Sequence, residues 1–218
     1  MFKGISIAGI KYQFCKDFIA GERFLVKREV HYFEESGAQN TDLTIEAAKN
    51  AAMSLGLKYL VVASATGLTG VKTTEALKDT GVKVVVVTEY AGMAEFTEAN
   101  RKKLEEMNAK IVTSTHSFLS PAESISQLHT GYCSENTIIK DVLRRFSQGM
   151  KVTAEIVMMA TDVGAVPPGE DVVSIAGTGK GADTSVIVKS CHSNDFFHRE
   201  KGIEFREIIA MPRKKKFW

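Results

Sequence analysis

Three glycines spaced by two give one segment of this sequence the residue types that bind oxyanions. Gly177, Gly179 and Gly181 follow an apolar, β-branched run at 172–176, and Lys180 lies between the last two of them. Glycine tolerates positive φ and lets backbone N–H groups approach a ligand closely, and a concavity of such amides suits phosphate. Residues 177–183, called the glycine loop below, are therefore predicted to bind an anion, and a solvated hairpin turn is an equally open alternative.

The glycine loop does not match the standard nucleotide-binding motifs. A P-loop needs a glycine five residues before its Gly-Lys pair and Ser or Thr after it, but Ser174 and Gly181 occupy these positions. A dinucleotide fingerprint opens a helix, whereas this loop leads into the strand-like run at 184–188. P-loop ATP hydrolysis and Rossmann-type NAD binding are both disfavoured.

A second turn of small residues follows the apolar run at 59–63 and precedes a helix predicted at about 71–78. Its candidate ligand-binding residues are Ser64, Ala65, Thr66, Gly67 and Gly70. A strand, a small-residue turn and a helix start together present backbone amides to an anion. A tight turn that needs small residues for its geometry is the alternative. Two such loops in one chain favour the ligand-binding interpretation.

Further candidates lie beyond the next predicted strands. The run at 84–88 ends at Thr88 and continues into Tyr90 and Gly92, and the run at 109–113 precedes His116. His116 is placed for phosphate binding or acid–base chemistry, although a hydrogen-bonded loop residue is the commoner outcome. Glu89 and Asp183 are the other candidates for proton transfer. The remaining candidates lie in the glycine loop or directly after it: Thr178, Ala182, Asp183 and Thr184.

The composition of the chain excludes several classes of protein. The 218 residues carry a net charge of +2, which argues against a dedicated nucleic-acid-binding protein. No apolar run approaches a membrane span, and no secretory signal is recognisable. The three cysteines are far apart, so we expect a reduced, cytoplasmic protein. No metal site is predicted, because His129 and Cys133 have no third ligand nearby, and homo-oligomer formation stays open.

Strand-like and helical patterns alternate along residues 30–218, whereas residues 1–29 form an extension with two short strands at 5–10 and 23–26. The alternation predicts an α/β domain with three layers, α/β/α, around a mostly parallel sheet. In such sheets ligands bind beyond the carboxyl ends of strands, where the strand order reverses. We expect the turn at 64–70 and the glycine loop to meet there, provided that their strands are neighbours.

Three local predictions bear on this arrangement. Thr41 is predicted as the N-cap of a helix at 43–54. Residues 137–163 read as one long helix, or as two joined near Gly149, and Glu155 stands out within their apolar stripe as a carboxylate that could be buried and paired. Residues 203–209 are predicted to form an edge strand.

Six stretches spread along the chain match one known pattern. They are Val-Val-Ala-Ser at 61–64, Val-Val-Val-Val-Thr at 84–88, Ser-Ile-Ser at 124–126, Gly-Met-Lys-Val with Glu-Ile at 149–156, Gly-Lys-Gly-Ala-Asp-Thr at 179–184 and Ile-Ile-Ala-Met-Pro-Arg at 208–213. In these stretches the chain resembles the C-terminal domain of pyruvate kinase and, more closely, the stand-alone pyruvate kinase C-terminal-domain-like proteins. The resemblance covers about residues 31 to 213. Gln127 departs from it, because this family tends to carry arginine there.

The resemblance implies a pyruvate kinase C-terminal-domain-like fold and a bound phosphorylated ligand, with flavin mononucleotide (FMN) the best candidate and no established reaction. Tyr90, Met93 or His116 would flank the flavin ring. The phosphoryl-transfer barrel of pyruvate kinase has no counterpart in the sequence, so pyruvate kinase activity is not expected. A flavin-dependent oxidoreductase, a phosphosugar-handling enzyme and a phosphometabolite sensor are the alternatives.

Overall fold

The computed structural model describes residues 6–7, 10–14, 24–91, 95–119, 124–125, 128–129, 131 and 133–216. Gly92, Met93, Ser126 and Gln127, which the sequence analysis singled out, lie outside these ranges. The chain divides into two compact units, Met1–Val30 and His31–Trp218. In the first unit, β1 (Ser6–Ile7), β2 (Ile10–Phe14) and β3 (Phe24–Val26) form a sheet in that order with antiparallel pairs.

The second unit contains every candidate site residue that the structure describes. Its elements are β4 (His31–Phe33), α1 (Thr41–Leu55), β5 (Tyr59–Ala63), α2 (Leu68–Ala76), β6 (Lys83–Thr88), α3 (Glu98–Glu106), β7 (Lys110–Thr113), α4 (Glu135–Arg144), α5 (Gln148–Asp162), β8 (Asp171–Ala176), β9 (Thr184–Lys189) and β10 (Glu204–Pro212). The predicted helical segment at 137–163 is thus two helices. Ser147 separates them, because its hydroxyl caps α5 by accepting the Met150 N–H at 2.8 Å.

The seven strands of this unit form one sheet in the order β4-β10-β9-β8-β5-β6-β7. Only β9 runs against the others, which confirms the mostly parallel sheet. Side chains of α1, α2 and α3 join one core on one face of the sheet, and side chains of α5 join a second core on the other face. The fold is therefore the predicted three-layer α/β/α arrangement.

The central strands explain the continuous apolar runs in the sequence. In β5, Leu60 and Val62 belong to the core beneath α1–α3, whereas Val61 belongs to the core beneath α5, and all three are fully buried. Successive side chains in a strand point to opposite faces. Since both faces are covered by helices, every position must be apolar, as in other parallel sheets.

The prediction of an edge strand at 203–209 holds for those residues but not for β10 as a whole, because β4 pairs only with Ala210, Met211 and Pro212. β10 lies between β9 and β4 and pairs with both. Its first half carries charged residues, which is the pattern of an edge, but Ala210 and Met211 in its second half are buried beside β4. The partner strand comes from the start of the unit, so the local pattern of β10 could not reveal it.

Strand order reverses beside β5. From β5 the chain proceeds outward through β6 to β7, then returns so that β8 pairs with the opposite side of β5. The turn after β5 and the glycine loop after β8 therefore meet at one edge of the sheet, and the expected adjacency is confirmed. Among the described residues, none of the helices has the length and hydrophobicity that crossing a membrane requires.

Candidate functional site

A cleft of about 720 Å³ opens at this edge, where β5 and β8 end. The predicted residues on its wall from the turn after β5 and the ends of β6 and β7 are Ser64, Ala65, Thr66, Thr88 and His116. Those from the glycine loop are Gly177, Gly179, Lys180 and Gly181. The structure thus brings the two predicted loops and the candidate histidine to one site.

Three helices begin at this cleft. The wall includes Thr41 at the start of α1, Thr69 in the first turn of α2 and Gln148 at the start of α5. A helix N-terminus carries a partial positive charge and unpaired N–H groups. Their convergence produces a positive electrostatic environment that favours an anion. Sequence reasoning missed the contribution of α5, because its N-terminus reaches the cleft only through the tertiary fold.

The glycine loop adds hydrogen-bond donors to this environment. Within the described ranges, the backbone N–H groups of Thr178, Gly179, Lys180 and Gly181 have no protein acceptor. Gly179 and Gly181 adopt φ of 77° and 73°, the left-handed region that favours glycine. The loop closes an antiparallel hairpin between β8 and β9, so it is both the hairpin turn and the amide-rich wall that the sequence left as alternatives.

Hydrogen bonds from two sides hold the loop in place. The Ala182 N–H donates to the Thr41 hydroxyl at 3.0 Å, and the Gly37 N–H donates to Asp183 Oδ2 at 2.9 Å. On the other side, the hydroxyls of Thr184 and Ser147 lie 2.9 Å apart at the start of α5. Thr41 therefore connects α1 to the loop by a hydrogen bond. The N-cap position that the sequence assigned to Thr41 is occupied by Asn40.

Three predicted ligand-binding residues lie in this support rather than on the cleft wall: Ala182, Asp183 and Thr184. Asp183 is fully buried, and both of its carboxylate oxygens accept hydrogen bonds, one from Gly37 and one at 2.8 Å from the Thr184 hydroxyl. A carboxylate so occupied anchors the loop. The geometry gives it no access to a ligand proton.

We expect Asp183→Ala to lower the free energy of unfolding by about 2 kcal/mol or more, since a buried donor that loses its acceptor costs ~1–3 kcal/mol. Urea denaturation followed by circular dichroism measures the change. Asp141→Ala is the control, because Asp141 is 54% exposed and its partner Arg144 keeps access to solvent. Equal effects of the two substitutions would show that the Asp183 bonds do not anchor the loop.

The remaining predicted residues serve packing or lie off the wall. Gly70 packs against Val86, where a Cβ would lie 2.5 Å from Cγ1, and its N–H donates to the Ser64 hydroxyl at 3.1 Å. Gly67 precedes α2 with φ of 89°. Tyr90 is 39% exposed and Thr178 is buried, and neither forms part of the wall.

A buried ionic cluster forms the wall on the α5 side. Glu155 is 1% exposed, and its Oε2 lies 2.7 Å from Lys151 Nζ and 3.3 Å from His116 Nδ1. The Phe118 N–H faces Glu155 Oε1 at 3.4 Å. The prediction that Glu155 is buried and paired is confirmed. Lys151 was missed as a site residue, although its position one helical turn before Glu155 in an apolar helix was the signal.

The cluster holds Glu155 as an anion. Burial by itself would raise the pKa of the Glu155 carboxyl, but the hydrogen bond with His116 and the charge of Lys151 outweigh burial and lower this pKa from 4.5 to about 2. Lys72, also on the wall, pairs with the exposed Asp42 at 2.7 Å. No ion pair of Lys180 is found in the described part of the chain, so its charge is available to a ligand.

Comparisons with known proteins give weak likenesses. No model of a known protein family matches the sequence. A pyruvate kinase from Cryptosporidium parvum in complex with ADP superimposes with a TM-score of 0.36 and 12% identity, covering 68% of this chain and 23% of that one. A second structure of a pyruvate kinase from the same organism gives a TM-score of 0.34 and 11% identity, covering 67% and 22%.

An O-ureido-L-serine synthase gives a TM-score of 0.28 and 14% identity, covering 61% of this chain and 50% of that one. This chain therefore spans about a quarter of the length of the two pyruvate kinases and half that of the synthase. Superpositions this weak carry no argument about the site. The assignment of the fold rests on the strand order and the three layers described above.

Proposed function

We propose that this chain binds a phosphorylated small molecule in the cleft, with FMN the strongest candidate. One observation carries the proposal: on the cleft wall, the backbone N–H groups of Gly179, Lys180 and Gly181 have no protein acceptor within the described ranges, and they lie beside the starts of three helices and the Lys180 ammonium. Phosphate is an anion with several acceptor oxygens, and backbone amides at helix starts are a common way to bind it.

The size and polarity of the cleft support FMN as the candidate. Ligand sites of drug-sized molecules commonly enclose ~300–1,000 Å³ and are mostly apolar with a few convergent polar groups, and this cleft encloses about 720 Å³. Beyond the glycine loop, its wall has apolar side chains able to contact a ring, including Val87, Val152, Ile156 and Met159. The choice of FMN itself comes from the resemblance to the stand-alone pyruvate kinase C-terminal-domain-like proteins.

The first test is the visible absorbance spectrum of the untagged protein, followed by mass spectrometry of any small molecule that heating releases. Flavin bands with the mass of FMN would support the proposal. Titration with riboflavin, which lacks the phosphate, supplies the control. Equal affinities for FMN and riboflavin would contradict a phosphate-binding role of the glycine loop.

We expect Lys180→Ala to weaken FMN binding about fivefold, because an exposed charge that contacts a ligand anion contributes ~1 kcal/mol. The affinity for riboflavin should stay unchanged. Lys78→Ala is the matched control, since Lys78 is an exposed lysine just beyond the opposite end of α2. Fluorescence titration measures the affinities of the wild type and of both variants for FMN and for riboflavin. A loss of affinity for riboflavin as large as that for FMN would mean that Lys180 does not act on the phosphate.

A phosphometabolite sensor is the alternative among binding proteins. A colourless protein that ignores added FMN but gains thermal stability from a sugar phosphate would favour it. FMN binding and phosphometabolite sensing would use the same backbone amides of the glycine loop, and we propose a cytoplasmic protein in both cases.

A further inference from the structure

His116 and Glu155 form a histidine–carboxylate pair on the wall of the cleft. Glu155 is one turn beyond Lys151 on α5, whereas His116 comes from the segment that follows β7. The imidazole Nδ1 contacts Glu155 Oε2 at 3.3 Å, and the side chain of His116 is 21% exposed. Within the described ranges, Nε2 of this imidazole has no protein partner. One ring nitrogen is therefore engaged and the other is available at the cleft.

The segment that carries His116 is fixed by packing. Phe118, two residues further on, is 4% exposed and packs in a small core with Ala154 and Met158 of α5. The ring of Phe118 also meets Phe196 edge to face at 5.6 Å between centroids. Because Phe118 is anchored and its N–H faces Glu155, the backbone beside His116 has little freedom. The imidazole is preorganised before any ligand arrives.

The tautomer of a neutral histidine follows from the hydrogen bond that its other nitrogen makes. Glu155 is an anion and can only accept, so the proton of neutral His116 belongs on Nδ1. Nε2 then carries a lone pair toward the cleft. Such an arrangement, a base held by an orienting carboxylate, is the common form of a catalytic histidine.

Other charged groups on the wall set the field around this pair. Lys151 lies on α5 one turn before Glu155, Lys72 lies on α2, and Lys180 lies on the glycine loop. Glu89 and Glu95, which follow β6, are the carboxylates that face the cleft from the opposite wall. The Lys151 ammonium is 8% exposed and shares Glu155 Oε2 with His116 Nδ1, so the histidine–carboxylate pair has a positive charge beside it.

We propose that this cleft catalyses proton transfer on a phosphorylated carbonyl compound, with His116 as the catalytic residue and Glu155 as its positioning residue. The inference rests on the proposed binding of a phosphorylated small molecule at the glycine loop, and it takes the carbonyl compound rather than FMN as the molecule whose phosphate the loop holds. His116 Nε2 accepts a proton from the carbon beside the carbonyl, the C–H electron pair forms a C=C bond, and the C=O π pair moves to the carbonyl oxygen. That oxygen becomes an enolate stabilised by Lys151.

Return of the proton from the imidazolium to the same carbon re-forms the carbonyl and completes the step. The net reaction is exchange of a carbon-bound proton with solvent. Atoms and electrons balance, and no oxidant, reductant or leaving group is required. Proton transfer by a positioned side chain contributes ~10²–10⁴-fold to a rate.

The first test determines which ring nitrogen of His116 carries the proton in the ligand-free protein. Nitrogen-15 NMR of labelled protein at pH 8 should show the His116 proton on Nδ1. The double variant Lys151→Met/Glu155→Leu replaces the ion pair with apolar groups, a change that buried pairs often tolerate, and it should lose the Nδ1–H preference while staying folded. Wild-type protein with the proton on Nε2 would overturn the role of Glu155.

The second test measures deuterium incorporation from D₂O into dihydroxyacetone phosphate, ribulose 5-phosphate and fructose 6-phosphate by proton NMR. We expect exchange above the buffer rate in at least one compound and a ~10²–10⁴-fold loss in His116→Gln. His192→Gln is the matched control, because His192 Nδ1 makes a similar 3.2 Å contact with Asp162 but lies off the cleft wall and is 44% exposed.

The outcomes separate this inference from the proposed function. Exchange in none of the three compounds, or exchange that His116→Gln leaves intact, overturns the inference. Binding of FMN or of the three phosphates is measured independently by titration. If binding persists without exchange, the cleft is a binding site only; if nothing phosphorylated binds, the proposed function itself fails.

Discussion

Glu155→Gln is expected to lower the free energy of unfolding by about 3–5 kcal/mol, the range for removing one partner of a buried ion pair. The amide would leave the Lys151 ammonium, 8% exposed, without a counter-charge, and His116 Nδ1 would lose its contact with a charged carboxylate. Urea denaturation followed by circular dichroism measures the loss. The size of the effect reflects an uncompensated charge rather than the strength of a single contact.

Two controls define this expectation. Lys151→Met/Glu155→Leu should cost much less than Glu155→Gln, since no buried charge remains. Lys214→Ala removes an ion pair of the same 2.7 Å length, with Glu35, but both of its side chains are more than 60% exposed, so we expect at most ~1 kcal/mol. A Glu155→Gln variant as stable as Lys214→Ala would show that the cluster is not the buried pair described here.

The same carboxylate makes stability depend on pH. The pKa of Glu155 falls from 4.5 to about 2 in the folded protein, so the unfolded chain takes up its proton first as the pH drops. The stabilisation is complete above pH 4.5 and is lost as the pH falls toward 2. The shift corresponds to roughly 3 kcal/mol. Glu155→Gln should flatten this part of the curve of unfolding free energy against pH, and an unchanged acid limb would contradict the assignment.

Gly181→Ala is expected to destabilise the protein and disrupt the glycine loop. At φ of 73° an L side chain is strained by ~1–2 kcal/mol, and the new Cβ would lie 2.4 Å from Thr41 Oγ1 and 2.8 Å from Ala38 Cα. Overpacking of this kind adds ~1–3 kcal/mol. Thr41 cannot easily move away, because its hydroxyl bonds both Ala38 and Ala182.

Gly179→Ala is the matched control. Gly179 lies two residues earlier with φ of 77°, but a Cβ there meets nothing within 4 Å. The two variants therefore share the backbone strain and differ only in the clash. Thermal unfolding of both should show the larger loss for Gly181→Ala. Equal losses would mean that the contact between the loop and α1 is looser than the structure shows.

Local patterns predicted the framework that carries this site. Runs of β-branched residues identified β5, β6 and β8, because strands covered on both faces need apolar residues at every position. Small residues after β5 and β8 identified both loops, since tight turns and close approach of amides demand them. The helix at 43–54 followed from periodicity, which left a break near Gly149 as one of two alternatives for residues 137–163.

Other features of the site depend on residues that are far apart in the chain. The sequence marked Asp183 as a candidate for ligand binding and proton transfer, but the approach of Gly37 and Thr184 makes it a buried anchor instead. β10 has the composition of an edge strand, and only pairing with β4 places it inside the sheet. Tyr90 was expected beside a ligand, and the path of the chain after β6 leaves it off the wall.

The sequence by itself therefore determined the fold class and the two loops, because periodicity and turn chemistry act over a few residues, whereas the pairing of β5 with β8 brings the loops together. The tertiary structure decided which polar groups face the cleft and in what state. Glu155 and Lys151 could be paired from their helical spacing, but His116 joins them only because the segment after β7 packs against α5. Burial then holds Glu155 as an anion between two partners, and no local pattern encodes that environment.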